Sequence, residues 1–374
     1  MDGYKTSQIT MFLGTRLERI EMLESEPIGS IPRTSLLIEA MGDLASGAIT
    51  SLRFDEIAQE ALVNTVQLFE KTGSSVITDG EQTKSSFATY PLEGLENLVP
   101  EGAVIPFADG HTRQLPALSS GPFRYSHYAD EYLRRTRNLT TLPVKQAVIA
   151  VSALSLLYPA GGIEGYTRDE FLTDLIAQGA GDIRHCLDAG AHCVQIDFTE
   201  GRLALKLDPS GGLLKDFVAL NNKVLANFTD DERAKIGVHT CPGGDQDSTH
   251  SADVDYALLL PDLFAINAGR FYLQMASEAD PTRALEVVKS SLRPGVKVFV
   301  GVIDPINPRV ESPVEVSERL VHAASFIPPS QLGSCDDCGF APFADDVSTS
   351  RELAFEKISA RVRGTKLASQ NLGV

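Results

Sequence analysis

The chain has 374 residues, and its 33 Lys and Arg residues against 50 Asp and Glu residues give a formal net charge of −17 at pH 7. Such an acidic chain lacks the basic surface that binding to nucleic-acid phosphates or anionic membranes requires. With 43% hydrophobic and 22% charged residues, the composition is that of a folded globular protein and excludes a disordered one. No apolar run approaches the roughly 18 residues of a membrane span.

The amino-terminal sequence MDGYKTSQITMFLG has no basic start followed by an apolar core. We therefore expect no secretory signal and a cytoplasmic protein, with residues 1–25 forming a helical arm. Five cysteines are an odd and sparse number for a disulfide scaffold, so they favour metal ligands or free thiols.

From residue 26 onward, short β-rich runs alternate with longer helical patterns. The predicted strands are 27–30, 75–81, 144–154, 193–197, 235–241, 263–267, 296–303 and 332–338. The predicted helices are 35–44, 54–71, 168–187, 213–227, 252–260, 281–292, 313–325 and 349–367.

Eight strand–helix units with nearly continuous apolar strands predict a parallel sheet, because parallel neighbours need crossover helices. Eight units favour a closed (β/α)8 TIM barrel over an open Rossmann sheet, and no GxGxxG follows the first strand. Segment 82–143 is additional, and we expect an elaborated loop or a small helical cap over one barrel end. The predicted organisation is one barrel domain over 26–374 with this cap inserted.

Polar residues with chemical potential follow the predicted strands. In an α/β barrel, the carboxyl ends of the strands meet at the mouth that carries the active site. The residues at these ends are Ser30, Glu81, Asp197, His239 with Cys241, Asn267, Asp304, and Cys335 with Cys338.

His239 and Cys241 are two residues apart on a predicted strand, so their side chains point to the same face. Imidazole and thiolate are two good zinc ligands. The alternative is a buried cysteine beside a hydrogen-bonded histidine, since free cysteines are commonly buried. Cys338 at the end of the eighth strand favours the metal site.

The pair Cys335 and Cys338 has CxxC spacing. A thioredoxin-like redox pair would open a helix, whereas Gly339 and Pro342 follow here. A four-thiol zinc site would need a second CxxC, which the sequence lacks. We therefore take Cys338 as the third ligand and Cys335 as incidental, and we assign the other two cysteines to packing, namely Cys186 and Cys193.

Glu81 and Asp197 are carboxylates at strand ends. Two carboxylates in one cleft suit the recognition of a substrate ammonium group. The alternative roles are a helix N-cap or a loop salt bridge.

Five motifs together resemble the catalytic barrel of cobalamin-independent methionine synthase over residues 26–368. They are Ile28-Gly29-Ser30 with Pro32, Asp79-Gly80-Glu81, Gln195-Ile196-Asp197, His239-Thr240-Cys241 and Asp337-Cys338-Gly339. The resemblance implies a zinc ion that activates homocysteine as a thiolate, with a methyltetrahydrofolate-type donor. It implies His239, Cys241 and Cys338 as zinc ligands. It also implies that homocysteine is held by Ser30, Glu81 and Asp197.

The chain departs from that family in two ways. It is too short for the second barrel of the long form, so it looks like the single-barrel relatives. The family also has a zinc-binding Glu after an apolar strand, and the matching position here is Asn267. Asn267 is then a substitute fourth ligand, or an oxygen or water takes that position.

A second relative is suggested by the run HTCPGGD at 239–245 with SADVD at 251–255. These runs are similar to zinc-dependent epoxyalkane:coenzyme M transferases, which open an epoxide with a zinc thiolate. Against this reading, Glu81 and Asp197 are retained although coenzyme M has no ammonium group.

The predicted function is zinc-dependent alkylation of a small-molecule thiol. Methyl transfer to homocysteine or a similar amino-acid thiol comes first, epoxide opening by coenzyme M second, and a non-catalytic zinc-binding paralogue third. Asp304 or His250 would protonate the leaving group as the general acid. No nucleic-acid or membrane partner is expected, and a homo-oligomer is left open.

Overall fold

The computed structural model describes residues 22–374, which form a curled parallel sheet surrounded by helices. The strands are, in chain order, β1 (Glu24–Ser25), β2 (Leu98–Val99), β3 (Val104–Pro106), β4 (Thr112–Gln114), β5 (Ala117–Leu118), β6 (Lys145–Ile149), β7 (Cys193–Asp197), β8 (Ile236–Thr240), β9 (Gly244–Asp245), β10 (Ser248–Thr249), β11 (Arg270–Leu273), β12 (Lys297–Ile303) and β13 (Leu332–Asp336). The α-helices are α1 (Ser35–Ser46), α2 (Ser51–Thr72), α3 (Asp130–Arg137), α4 (Val151–Leu154), α5 (Arg168–Asp188), α6 (Glu200–Leu207), α7 (Gly212–Leu225), α8 (Asp230–Arg233), α9 (Tyr256–Leu263), α10 (Pro281–Ser291), α11 (Pro313–Ala323) and α12 (Arg351–Leu372).

The sheet curls into a barrel. Seven parallel strands are hydrogen-bonded in the order β1, β13, β12, β11, β8, β7 and β6. Beyond β6, Ile77 continues the ring through a parallel bridge to Val144. Thr78 Oγ1 donates to the Gly29 carbonyl at 2.9 Å, which ties this eighth segment to the chain just after β1. The predicted (β/α)8 fold class is confirmed, with the second strand reduced to a bridge.

The barrel strands are apolar because helices cover one face and side chains fill the other. All residues of β6, β7, β8 and β13 are buried. Strands buried on both faces lose the alternation of apolar and polar residues, and this explains why the sequence shows nearly continuous apolar runs.

The prediction of a strand over 263–267 is wrong. Leu263 is the last residue of α9, and the amides of Ala265 and Ile266 donate to helix carbonyls in closing turns. The strand at this place is β11, which begins at Arg270. A short apolar run fits a buried helix end as well as a buried strand, so periodicity does not separate the two.

Other strand predictions differ at their bounds. The run 144–154 divides at Ala150 into β6 and α4, the run 27–30 follows β1, and the run 75–81 contributes only the Ile77 bridge. The prediction for β7 agrees with its observed bounds, and the remaining strands and helices agree to within a few residues.

The segment 82–143 forms a cap of mixed structure rather than a purely helical one. It contains the ladders β2–β5 and β3–β4 and the helix α3, which packs on α5 and β6. We call this segment the cap throughout. The ladder β3–β4 brings Ile105 and Arg113 over the barrel mouth, where they line the central cavity.

The predicted arm over 1–25 lies mostly outside the described residues. Its last two residues, Glu24 and Ser25, belong to the barrel sheet as β1, paired with Gly333 and Ser334. Among the described helices, none is long and apolar enough to span a membrane.

Candidate functional site

Three side chains from two strand ends meet at the barrel mouth. His239 lies near the end of β8, Cys241 follows that strand, and Cys338 follows β13. Their ligand atoms all lie within 4.8 Å of one another, and the Cys241 and Cys338 sulfur atoms are 3.2 Å apart. The spacing of two residues along β8 points His239 and Cys241 to one face, as the sequence predicted.

The three residues fit a metal ion. Both ring nitrogens of His239 are buried and have no hydrogen-bond partner among the described residues. Leaving a buried polar group unpaired costs free energy, so this imidazole is suited to a ligand that the protein itself does not supply. The neighbouring Cys241 sulfur, and then burial, raise the pKa of Cys338 well above its usual value. A divalent cation would reverse that shift by stabilising both thiolates, and two Cys with one His is a typical zinc donor set.

Asn267 does not lie at this site. It precedes β11 at the opposite end of the strand, is exposed, and its backbone amide donates to Asn222 Oδ1 at 2.8 Å. The residue that follows β11 at the barrel mouth is Gln274, which lines a cleft together with Cys338. Gln274 Oε1 accepts a hydrogen bond from Arg202 at 2.9 Å. Sequence reasoning missed Gln274 because it placed the strand too early, although the run Phe271–Leu273 after Gly269 signals the true strand.

Ser30, Glu81 and Asp197 line one cavity together with His239 and Cys338. The cavity has about 600 Å³ of empty volume, including its open mouth. All three side chains are buried, and Ser30 Oγ accepts a hydrogen bond from the Ala341 amide in the adjacent loop after β13. Residues distant in sequence therefore converge where the strand ends predicted.

The two carboxyl groups are poorly compensated. Burial raises the pKa of Glu81 to about 7, with Lys84 opposing this rise and the Asp197 carboxylate adding to it. Burial also raises the pKa of Asp197. A cation placed between these groups would favour the ionised form of both, which is the behaviour expected of an ammonium-binding pocket.

Two buried cations at the site were not predicted. Lys84 Nζ donates to Glu81 Oε1 at 3.2 Å and to the Ala147 carbonyl at 3.1 Å. The Arg33 guanidinium donates to four backbone carbonyls, including those of Glu81 and Lys84. Lys84 balances one carboxylate, while Arg33 joins the loops that form the cavity floor.

His250 lines the same cavity but has the properties of an acceptor. The Ser251 hydroxyl donates to the Pro242 carbonyl at 3.1 Å. Ser251 Oγ can therefore only accept a hydrogen bond from His250 Nδ1, which lies 2.8 Å away, and this assigns the ring proton to Nδ1. Nε2 then carries a lone pair. Burial, with Lys206 and Arg202 nearby, lowers the pKa of His250 to about 4. A neutral imidazole of this kind accepts hydrogen bonds at pH 7, and the predicted role as a general acid does not fit it.

Asp304, the other predicted acid, lies in the cleft beside Gln274 rather than in the central cavity. Its Oδ1 accepts from the amides of Ile306 and Asn307 at 3.0 and 3.4 Å and so stabilises the loop in which Asp304 lies.

The remaining cysteines lie away from the metal-ligand group. Cys335 points to the Phe299 carbonyl inside the barrel, and Cys186 and Cys193 are buried.

A second cleft of about 1,140 Å³ adjoins the central cavity beneath the cap. The two spaces share lining residues from the cap and from the barrel loops, namely Phe87, Ile105, Arg113, Thr199, His250 and Phe343. The site thus has one compartment at the metal-ligand group and a larger compartment next to it, beneath the cap.

The chain is similar to known methionine synthases over nearly its whole length. A methionine synthase of Sulfurisphaera tokodaii is 23% identical over 361 residues, 95% of this chain and 95% of that protein. One from Saccharolobus solfataricus is 22% identical over 361 residues, 95% of this chain and 98% of that protein.

Two solved structures share the fold. A B12-independent methionine synthase from Shewanella sp. W3-18-1, in complex with selenomethionine, has a TM-score of 0.74 at 19% identity, covering 94% of this chain and 99% of that one. A putative vitamin-B12-independent methionine synthase from Listeria monocytogenes has a TM-score of 0.70 at 21% identity, covering 92% and 98%.

The family described as "Cobalamin-independent synthase, Catalytic domain" matches residues 23–352. This match covers the barrel mouth, the cap and every residue of the site described above. The protein therefore belongs to the cobalamin-independent methionine synthase family, as its strand-end motifs predicted.

Proposed function

We propose that the protein transfers a methyl group to the thiol of homocysteine or of a similar amino-acid thiol, with zinc as its metal and a methyltetrahydrofolate-type compound as donor. One observation carries this proposal: a His/Cys/Cys group and two buried carboxyl groups face the same cavity. A metal held by the His/Cys/Cys group suits a substrate thiol, and the two carboxyl groups suit the amino group of the same small molecule.

His239, Cys241 and Cys338 would hold the zinc ion. Bound there, zinc would act as a Lewis acid that lowers the pKa of a substrate thiol, which alkylation at neutral pH requires. Gln274 lies close by on the end of β11, but its carboxamide is engaged with Arg202 and Ser277.

Glu81 and Asp197 would bind the substrate ammonium group. Lys84 neutralises one negative charge, so the ionised pair keeps a net charge of −1 for the substrate to balance. Charge-assisted hydrogen bonds of this kind are about twice as strong as neutral ones. Ser30, whose neighbour Ile31 is hydrogen-bonded to Gly80 beside Glu81, would bind the rest of the amino-acid moiety.

Epoxide opening by coenzyme M remains a second candidate, and Gln274 favours it. The resemblance implies a zinc-binding Glu after an apolar strand, a position that the sequence matches to Asn267. Gln274, the residue that does follow β11, adds no negative charge to two thiolates and a neutral imidazole. A less negative donor set suits a more reactive electrophile, such as a strained epoxide. Glu81 and Asp197 weigh against it because coenzyme M has no amino group.

The metal is tested by zinc analysis of the wild-type protein and two Cys→Ser variants. We expect about one zinc per chain in the wild type and in Cys186→Ser, a buried thiol outside the site, and less than about half in Cys241→Ser. Equal zinc content in all three proteins would contradict the metal assignment.

The thiol is tested by isothermal titration of the zinc-loaded protein with homocysteine, with 4-mercaptobutanoate, which lacks only the amino group, and with coenzyme M. Homocysteine should bind best, with release of a proton. Glu81→Gln should weaken homocysteine binding by about tenfold or more and leave 4-mercaptobutanoate unchanged. Equal losses for both ligands would refute the ammonium role, and tighter binding of coenzyme M would select the second candidate.

A further inference from the structure

The apolar cleft beneath the cap contains one carboxyl group that the proposed function leaves without a role. The cleft walls are formed by cap residues such as Ile105 and Leu115 and by barrel residues such as Leu154 and Leu203. Glu200, the first residue of α6, lines this cleft and is 5% exposed. A carboxyl group is expensive to bury in apolar surroundings unless it is neutral or paired.

The carboxyl group of Glu200 is held by one of its two oxygens. Ser152 Oγ donates to Glu200 Oε1, and Asn221 Nδ2 in turn donates to Ser152 Oγ at 2.6 Å. Glu200 Oε2 has no hydrogen-bond partner among the described residues. Because Oε1 already accepts a hydrogen bond, Oε2 is the oxygen that can carry an acidic proton.

The surroundings keep this carboxyl group protonated. Burial raises the pKa of Glu200 to about 8; the Ser152 hydroxyl and nearby backbone amides oppose this shift only in part, and the Asp197 carboxylate adds to it. Arg113, an arginine that lines the cleft, is already paired with Asp245 and Asp345. His250, which also lines the cleft, is neutral at pH 7.

We propose that Glu200 is the acid that protonates the leaving atom of an alkyl donor bound in the cleft beneath the cap. The cleft adjoins the thiol cavity through shared residues, including Thr199, which directly precedes Glu200. A donor bound in the cleft would therefore border both the cavity that holds the thiol and the Glu200 side chain. The inference rests on the proposed function and extends it to the second substrate.

The step balances without a further reactant. The substrate sulfur, having released its proton to solvent, forms a bond to the donor's alkyl carbon. The bond from that carbon to nitrogen or oxygen breaks, and its electron pair stays on the heteroatom, which takes the proton from Glu200 Oε2. Glu200 then regains a proton from solvent, so the net change is RSH + X–CH₃ → RSCH₃ + XH.

The other carboxyl groups of the two joined cavities fit this role less well. Glu81 is paired with Lys84, Asp197 accepts from Gln195 at 2.7 Å, and Asp345 is paired with Arg113. Glu200 is distinguished by a bound Oε1, a free Oε2 and the absence of a cationic partner among the described residues.

Glu200→Gln tests the proposal, because the amide keeps the shape and the hydrogen bond to Ser152 but has no acidic proton. Glu356→Gln, an exposed change on α12, is the matched control. Zinc content and circular dichroism should be unchanged in both variants. In infrared spectra at pH 7, the protonated-carboxyl absorption should be equal in the wild type and in Glu356→Gln and weaker in Glu200→Gln. Part of the absorption remains in all three proteins, because burial also raises the pKa of Glu81 to about 7. Equal absorption in all three proteins would overturn the proposal.

Kinetics with homocysteine and three donors supply the second readout. With methyltetrahydrofolate the leaving nitrogen must take up a proton, and with epoxypropane the oxygen of the opened ring must do so. Methyl iodide releases iodide, which needs no proton. Glu200→Gln should lower kcat about 100-fold or more with whichever proton-requiring donor the wild type uses, and leave the methyl iodide reaction unchanged. Equal losses with both classes, or no loss with either, would overturn the acid role.

The proposed function fails in a different way. If wild-type protein accelerated no alkylation of homocysteine, not even by methyl iodide, the thiol chemistry would be refuted. The infrared comparison would still decide whether Glu200 carries a proton.

Discussion

Gly339 determines where Ser30 can lie. A Cβ atom at Gly339 would be 2.0 Å from Ser30 Oγ, which is closer than packed atoms approach one another, and 3.2 Å from Ser30 Cβ, which is a tight contact. Only a residue without a side chain lets the loop after β13 approach the loop after β1 so closely. The glycine that follows Cys338 therefore determines the shape of the cavity at Ser30, which is the proposed substrate pocket.

Gly339→Ala should displace Ser30 and raise the KM for homocysteine about tenfold, the cost of roughly one hydrogen bond, while zinc content stays unchanged. Steady-state kinetics and metal analysis measure the two effects. Gly42→Ala on α1 is the control, because a Cβ there meets nothing within 4 Å. An unchanged KM in Gly339→Ala would contradict the placement of Ser30 in the substrate pocket.

The backbone of Glu81 is strained at this cavity. Its φ of 54° lies in the left-handed region, which non-glycine residues adopt at a cost of roughly 1–3 kcal/mol. The Asp79 carboxylate accepts from the Glu81 amide at 3.0 Å and stabilises the turn. The Asp-Gly-Glu motif thus supplies a turn as well as a carboxylate.

At the level of elements, the sequence predicts the barrel well because its strands are short, apolar and followed by polar residues. β7 agrees with its predicted bounds, since it is buried on both faces and ends at Asp197. The prediction of a strand before Asn267 is wrong because the end of α9 is as apolar as a strand. As a result, Gln274 was not predicted to lie at a strand end. Lys84 and Glu200 also escape prediction, because their positions depend on loop and helix geometry that periodicity does not contain.

Helix α12 fixes the loop that follows β12. Lys357 on this helix is buried, and its Nζ donates to the carbonyls of Asp304 and Arg309 at 2.9 and 2.7 Å and to Glu311 Oε2 at 3.0 Å. The Asp304 amide in turn donates to Glu311 Oε1 at 3.0 Å. One buried ion pair thus joins the last helix to a loop at the barrel mouth.

Lys357→Met should reduce the free energy of unfolding by about 3–5 kcal/mol, because it leaves the Glu311 carboxylate buried without its cation. Urea denaturation measures the change. The double variant Lys357→Met/Glu311→Gln should recover part of the loss, since it removes the unpaired charge. If the double variant lost as much unfolding free energy as the two single variants together, or more, the ion pair would not be the cause of the loss.

At the scale of the whole molecule, a buried ionic group lies inside the barrel at the end opposite the site. Glu26 follows β1 and is fully buried. Burial alone would raise the pKa of Glu26, but the hydrogen bond with His192, the charges of Lys145 and Arg270 and the Tyr272 hydroxyl outweigh it and lower the pKa to about 2. The ionised form of Glu26 therefore stabilises the folded barrel.

Because the folded pKa lies below the unfolded value of about 4.5, this stabilisation is complete above that pH and is lost as the pH falls toward 2. The unfolding free energy of the wild type should exceed that of Glu26→Gln most at pH 6. The difference should shrink by roughly 1.4 kcal/mol per pH unit below about 4.5. Urea titrations at pH 6, 4 and 3 measure it, and a difference independent of pH would rule out the titration of Glu26 as its cause.

Arg113 links the cap to two loops at once. From β4 in the cap, its guanidinium pairs with Asp245 at 2.5 Å and with Asp345 at 2.9 Å. One of these carboxylates lies on the loop after Cys241 and the other on the loop after Cys338. Arg113 is 23% exposed, so dissolved ions can reach these pairs.

The ionic strength of the solution should therefore govern how firmly the metal-binding loops are held. Raising salt from 0.05 to 1 M should speed zinc loss to a chelator in the wild type, because screening weakens both pairs at once. In Arg113→Met, zinc loss should be faster at low salt and nearly independent of ionic strength. A wild-type rate of zinc loss that does not respond to salt would show that the cap does not hold these loops. If the rate does respond, the retention of the metal depends on the ionic strength of the solution as well as on the three proposed ligands.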